Sequence, residues 1–204
     1  MMNKRSLYYL KAFGYEYFDE QKQIRHFNLS FKELNERVKT CNLCHFSKLR
    51  KYSLIEKEAK NAKILIYQAF IDKEENESGK FFASKNKQEF LRLCKDLLNL
   101  KEDEIYFSYM FKCFSNFKID DQALKLCLPY FYNELDFIKA KIILCLGQEA
   151  FASLGFGNFQ KYKGQCMRFN NALLLPSYDL NFLSKNPSFY TEFIEDIKKI
   201  KGYL

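Results

Sequence analysis

The sequence predicts an α/β fold: a three-layer αβα sandwich built on a central four-stranded parallel sheet. Three observations carry that expectation. Short, continuously apolar segments recur along the chain. Amphipathic helical patterns lie between them. At 204 residues the chain suits one domain with a full core rather than two. Unbroken apolar strands alternating with helices imply parallel strands covered on both faces.

The elements follow in order. Residues 1–29 read as a mixed aromatic and polar N-terminal extension, and residues 30–204 as the domain. Ser30 and Glu33 form a capping box at the start of SFKELNERVK, a helix that delivers the chain to Cys41. AKILIYQA (62–69) is a buried strand. Asn86 and Glu89 pattern as a second capping box before EFLRLCKDLL, whose Phe90, Leu93, Cys94 and Leu97 share a face. IYFSYMFK (105–112) is the second strand. Asp120 or Asp121 caps a helix striped by Leu124, Leu128, Phe131, Leu135 and Ile138, which Pro129 should kink or restart. KIILCLG (141–147) and ALLLP (172–176) are the third and fourth strands, with Gly147 turning into QEAFASL. A last helix places Phe189, Phe193, Ile197 and Ile200 on one side. GFGNFQ (155–160) lacks the third glycine of a dinucleotide fingerprint and reads as a turn.

In such sheets ligands bind beyond the carboxyl ends of the strands. Gln68 to Phe82, Tyr109 to Cys113 and Ser177 to Phe182 lie there. A net charge of +8 favours an anionic partner such as nucleic acid. No apolar run approaches a membrane span, and the N-terminus shows no signal-peptide pattern. A cytoplasmic setting is expected, with the seven cysteines reduced or metal-bound.

Cys94 and Cys145 sit in apolar patterns and read as small buried hydrophobes. Cys166 has no assigned role. The remaining four, Cys41, Cys44, Cys113 and Cys127, could meet outside the sheet. Four thiolates suit zinc or an iron–sulfur cluster, and spacing leaves both open. CNLCH (41–45) also matches a c-type haem attachment signature, but that chemistry needs export and an axial ligand. A thioredoxin-like redox pair should follow a strand and open a helix, whereas this pair ends a helix.

Over roughly residues 33–200 the chain resembles the iron–sulfur uracil-DNA glycosylases of the family-4 type. CNLCHFSKLR is similar to that family's Cys-x-x-Cys segment ending in a basic residue. IYFSYMFKC and CLPYF resemble its Lys-Cys and Cys-x-Pro-Tyr elements, and SGKFF falls on its Gly-x-Pro-Phe. IILCLGQEAF resembles its Leu-Gly-x-x-Ala turn. PSYDLNFLSKNP aligns without gaps on its last conserved segment. The resemblance implies a glycosylase fold and a structural [4Fe–4S] cluster on Cys41, Cys44, Cys113 and Cys127. It also implies DNA as the partner, in duplex with a damaged base or single-stranded, and a monomer.

The active-site positions depart from the family. Its motif glutamate falls on Gln68, its uracil-reading asparagine on Tyr109 and its leaving-group histidine on Asp179. The stacking phenylalanine is retained as Phe82. Gln68 and Asp179 are the candidate catalytic residues, and Phe82 and Tyr109 the candidate base contacts. Leu180, Phe182 and Lys185 are the candidate DNA wedge and phosphate contacts. Excision of uracil leaves negative charge on the base, which wants neutral or positive donors. An ionised Asp179 opposes that charge, although a carboxylate can activate water. Two functions follow: a glycosylase acting on uracil or another damaged base, or a catalytically inactive relative that binds nucleic acid or a partner.

Overall fold

The structure is a computed structural model and describes residues 29–204. Residues 1–28 of the expected N-terminal extension lie outside the described residues. Helix α1 (Phe31–Thr40) begins at the Ser30 capping box and ends at Cys41. β1 (Ile64–Gln68) is followed by short α2 (Lys73–Ser78) and by α3 (Lys85–Leu98). β2 (Ile105–Tyr109) leads to α4 (Asp121–Ile138), and β3 (Ile142–Leu146) to α5 (Gln148–Ser153) and α6 (Phe159–Tyr162). β4 (Met167–Phe169) and β5 (Ala172–Ser177) precede α7 (Leu180–Lys185) and α8 (Tyr190–Ile200).

The strand order is β2-β1-β3-β5-β4. The four expected strands form the parallel core of the sheet, in register Tyr109↔Gln68↔Leu146↔Ser177 at their carboxyl ends. One correction is the fifth strand: β4 pairs antiparallel with β5 at the edge. Strand period two sorts the side chains into two cores. Leu65, Tyr67, Tyr106, Ile143 and Cys145 pack on one face with α1, α4 and α5. Ile64, Ile66, Ile105, Phe107, Ile142 and Leu144 pack on the other with α3, α7 and α8. This is the three-layer αβα arrangement.

Two local expectations are corrected. Helix α3 starts at Lys85 with Ser84 at its N-cap, two residues before the Asn86–Glu89 pattern. Helix α4 runs unbroken through Pro129. An internal proline costs about 3 kcal/mol or more by removing a backbone bond. Here Ala123, Cys127, Phe131, Glu134 and Ile138 are all buried on one face, so packing holds the helix together. Phe131 and Ile138 of the predicted stripe lie on that face, and Leu124, Leu128 and Leu135 pack half-buried at its margin. Among the described residues no helix is long and apolar enough to cross a membrane.

Candidate functional site: a cleft at the strand ends and a four-cysteine pocket

Strand β1 sits between β2 and β3, so the chain leaves it in one direction and returns on the other side. Such a switch point opens a crevice beyond the strand ends. A cavity of about 190 Å³ lies there, walled by Gln68, Leu146 and Asp179 from the three strand ends and by Phe70, Phe117 and Glu149 around them. Asp72, Asn86, Lys87, Leu180 and Asn181 complete the wall.

Asp179 is held in place twice. Its Oδ1 accepts from the Phe182 backbone N–H at 2.8 Å, capping α7. Its Cβ lies 3.0 Å from where a side chain on Gly147 would begin. Gly147 has φ +98°, a conformation that glycine adopts without strain, so this turn needs glycine for both reasons.

Behind the cleft lies a polar network that sequence reasoning missed. Glu75 is fully buried. Its carboxylate accepts from the Asp72 N–H at 3.0 Å, the Phe82 N–H at 2.9 Å and the Tyr109 hydroxyl at 2.7 Å. Lys87 donates to Glu75 at 2.6 Å and to the Tyr109 oxygen at 3.0 Å, and pairs with Asp72 at 3.1 Å. Burial, and then the Glu75 charge, push the Tyr109 phenol well above its usual range, so it stays a neutral donor. Phe81 stacks on its ring at 5.6 Å. Phe82, at φ +55°, packs edge-on against Phe107 at 3.8 Å. Neither Tyr109 nor Phe82 is among the residues lining the cleft. The Asp72-x-x-Glu75 pattern was a legible capping signal. Lys87 had none, because it stands among other charged residues on α3.

The candidate wedge segment follows directly. Leu180 faces the cleft. Phe182 stacks on Tyr178 at 5.0 Å, with Phe189 packed against both rings. Lys185 is exposed at the end of α7.

The four singled-out cysteines line one small pocket with Phe46, Phe111 and Tyr130. Cys41 caps the end of α1, Cys44 precedes a 3₁₀ turn, Cys113 follows β2 and Cys127 rides on α4. Arg50 donates to the Cys113 sulfur at 3.0 Å and to the Lys39 carbonyl at 3.1 Å. The Lys112 N–H donates to the Cys127 sulfur at 3.3 Å. Burial pushes the Cys127 thiol up to about 12 and raises Cys113 against the pull of Arg50. A second buried strut braces this pocket. Lys112 pairs with Glu134, which also accepts from Tyr106 at 2.9 Å and Ser108 at 2.7 Å. Glu134 lies two turns after Cys127, so the strut ties the end of β2 to the helix carrying that thiol. Among the described residues no group of three His, Cys, Asp or Glu side chains is arranged to grip a metal ion. His45 is exposed, with its ring against Phe46 at 4.2 Å. Cys94 and Cys145 are buried in the two cores.

The family profile for the uracil DNA glycosylase superfamily matches residues 56–198. A type-4 uracil-DNA glycosylase of Sulfurisphaera tokodaii is 23% identical over 184 residues, covering 84% of each chain. One from Saccharolobus solfataricus is 22% identical over 181 residues, covering 83% of this chain and 84% of its own.

Proposed function

Because this chain belongs to the uracil DNA glycosylase superfamily, we propose that it is a DNA repair glycosylase hydrolysing the bond between deoxyribose and a damaged base. The observation that carries the reading is the cleft at the switch point, where Gln68 and Asp179 face one cavity. A flipped base entering it would meet the side chains of Phe70 and Phe117. As the glycosidic bond breaks, positive charge builds on the sugar. Asp179 or Glu149 stabilises that charge and takes a proton from the attacking water, while the Gln68 amide orients the water or the base edge. Phe182, half-buried, would fill the gap left in the duplex and Lys185 would meet a phosphate, while Leu180, buried in the core under α7, would line the cleft instead of entering the duplex.

The donor chemistry around the second pocket fits the cluster that the resemblance implies. Four thiols line one shared pocket otherwise walled largely by apolar side chains, a donor set that suits an iron–sulfur cluster. Cys41, Cys44, Cys113 and Cys127 would hold a [4Fe–4S] cluster, whose part is to brace α1, β2 and α4. The protein then acts as a monomer in the cytoplasm, where such thiols stay reduced.

The test is incubation of holo-protein with duplexes carrying a range of damaged bases, uracil and hypoxanthine included, followed by alkaline strand cleavage. Cleavage at one lesion is the expected result, and intact strands throughout would overturn the reading. A second reading, a DNA-binding relative without turnover, is favoured by one observation. Tyr109, aligned with the family's base-reading asparagine, is tied into the buried Glu75–Lys87 network. Its signature is salt-dependent binding with no abasic product.

A further inference from the structure

Resting on the glycosylase reading, we infer that the cleft takes a cationic, N-alkylated base, such as N7-methylguanine or N3-methyladenine, in preference to uracil. The wall carries three carboxylates, Asp72, Glu149 and Asp179, and a single basic side chain, Lys87. Lys87 is already matched by Glu75 at 2.6 Å and Asp72 at 3.1 Å. Glu149 has no hydrogen-bond or ionic partner among the described residues, and Asp179 uses only Oδ1, to cap α7. Glu149 therefore faces the cavity with no partner, and Asp179 keeps its Oδ2 free. Gln68 gives an independent sign of a ligand. Only 7% of it is exposed, it faces the cleft, and its amide has no partner among the described residues. A nearly buried, unpaired amide awaits a polar base edge.

The charge decides between substrate classes. Uracil departs as an anion and needs a donor at the base, which these carboxylates oppose. An N-alkylated purine begins with a positive charge on its rings. The carboxylates attract it, and the Phe70 and Phe117 rings, in edge-to-face contact at 5.6 Å, add cation–π attraction. When its C1′–N9 bond breaks, the electron pair goes to N9 and the base leaves neutral. Water adds to C1′, and its proton passes to Glu149 or Asp179 and then to solvent. No donor at the leaving group is required, so the loss of the family's histidine and asparagine does not block this reaction.

The experiment compares release of N7-methylguanine and N3-methyladenine from methylated duplex DNA with release of uracil, hypoxanthine and the other damaged bases of the glycosylase test from matched duplexes, by chromatography of freed bases with holo-protein. The expected result is methylated-base release at least about tenfold faster than uracil release. Glu149→Gln should slow that release by about 100-fold. It should also weaken binding to a duplex carrying 2′-fluoro-N7-methylguanosine, whose glycosidic bond breaks slowly, a readout that needs no turnover. Uracil or hypoxanthine released with the methylated bases left in place would overturn the inference and leave the glycosylase reading standing. No base released from any duplex would overturn both. Equal binding of the fluorinated probe by wild type and Glu149→Gln would remove Glu149 from the recognition and overturn the charge argument.

Discussion

Replacing Lys112 by Met would test the strut that braces the four-cysteine pocket. Lys112 and Glu134 are both almost wholly buried and are directly paired. Removing the cation leaves Glu134 as an unmatched charge in a low-dielectric interior. Breaking a buried pair in this way costs about 3–5 kcal/mol. The Tyr106 and Ser108 hydroxyls still donate to Glu134, so the lower end, about 3 kcal/mol, is expected here. For a chain of this size that corresponds to a fall in melting temperature of roughly 6–12 °C. The assay is urea and thermal unfolding of reduced, metal-free protein followed by circular dichroism. The double variant Lys112→Met/Glu134→Gln removes both charges and keeps a neutral acceptor for the two hydroxyls. It should recover most of the loss, to within about 1–2 kcal/mol of wild type. A single-variant cost below about 1 kcal/mol would refute the reasoning, because that is the value of a solvent-exposed pair.

Other outcomes follow from individual residues. Burial, reinforced by Glu102 and Glu134, pushes Glu56 up to about 7. An acid raised in the folded state favours folding at low pH, fully below its unfolded value near 4.5 and lost as pH rises through about 7. Stability should therefore fall by about 2–3 kcal/mol between pH 4.5 and 8 from this group, and Glu56→Gln should flatten that slope in denaturant titrations. Gly147→Ala places a methyl group 3.0 Å from the Asp179 Cβ on a backbone at φ +98°. It should cost about 1–3 kcal/mol in thermal unfolding and reduce base excision beyond the loss of folded protein, because Asp179 must shift.

The fold was largely legible because its signals are local. Ile64–Gln68, Ile105–Tyr109 and Ile142–Leu146 are unbroken buried runs, and the Ser30–Glu33 box starts α1 as its pattern predicts. β4 escaped because it is three residues long with an exposed Arg168 at its centre. The Pro129 expectation failed because burial of Cys127, Phe131 and Glu134 outweighs a local helix penalty. The rule about strand ends reached the segments that carry Gln68 and Asp179, and the family resemblance singled out those two residues, which line the cleft. The partnership of Glu75, Lys87 and Tyr109 could not, because the fold brings α2, α3 and the end of β2 together across stretches with no shared pattern. Tyr109 illustrates the limit: its position past a strand was readable, but the direction of its hydroxyl depends on a carboxylate on α2.

The proposed cluster requires four cysteines, drawn from the end of α1, the end of β2 and α4, to share one centre. Counting iron and acid-labile sulfide in anaerobically purified protein tests it directly. About four of each per chain with broad visible absorption, both lost in Cys127→Ser, is the expected result. One zinc per chain without sulfide, or iron that persists undiminished in Cys127→Ser, would contradict it.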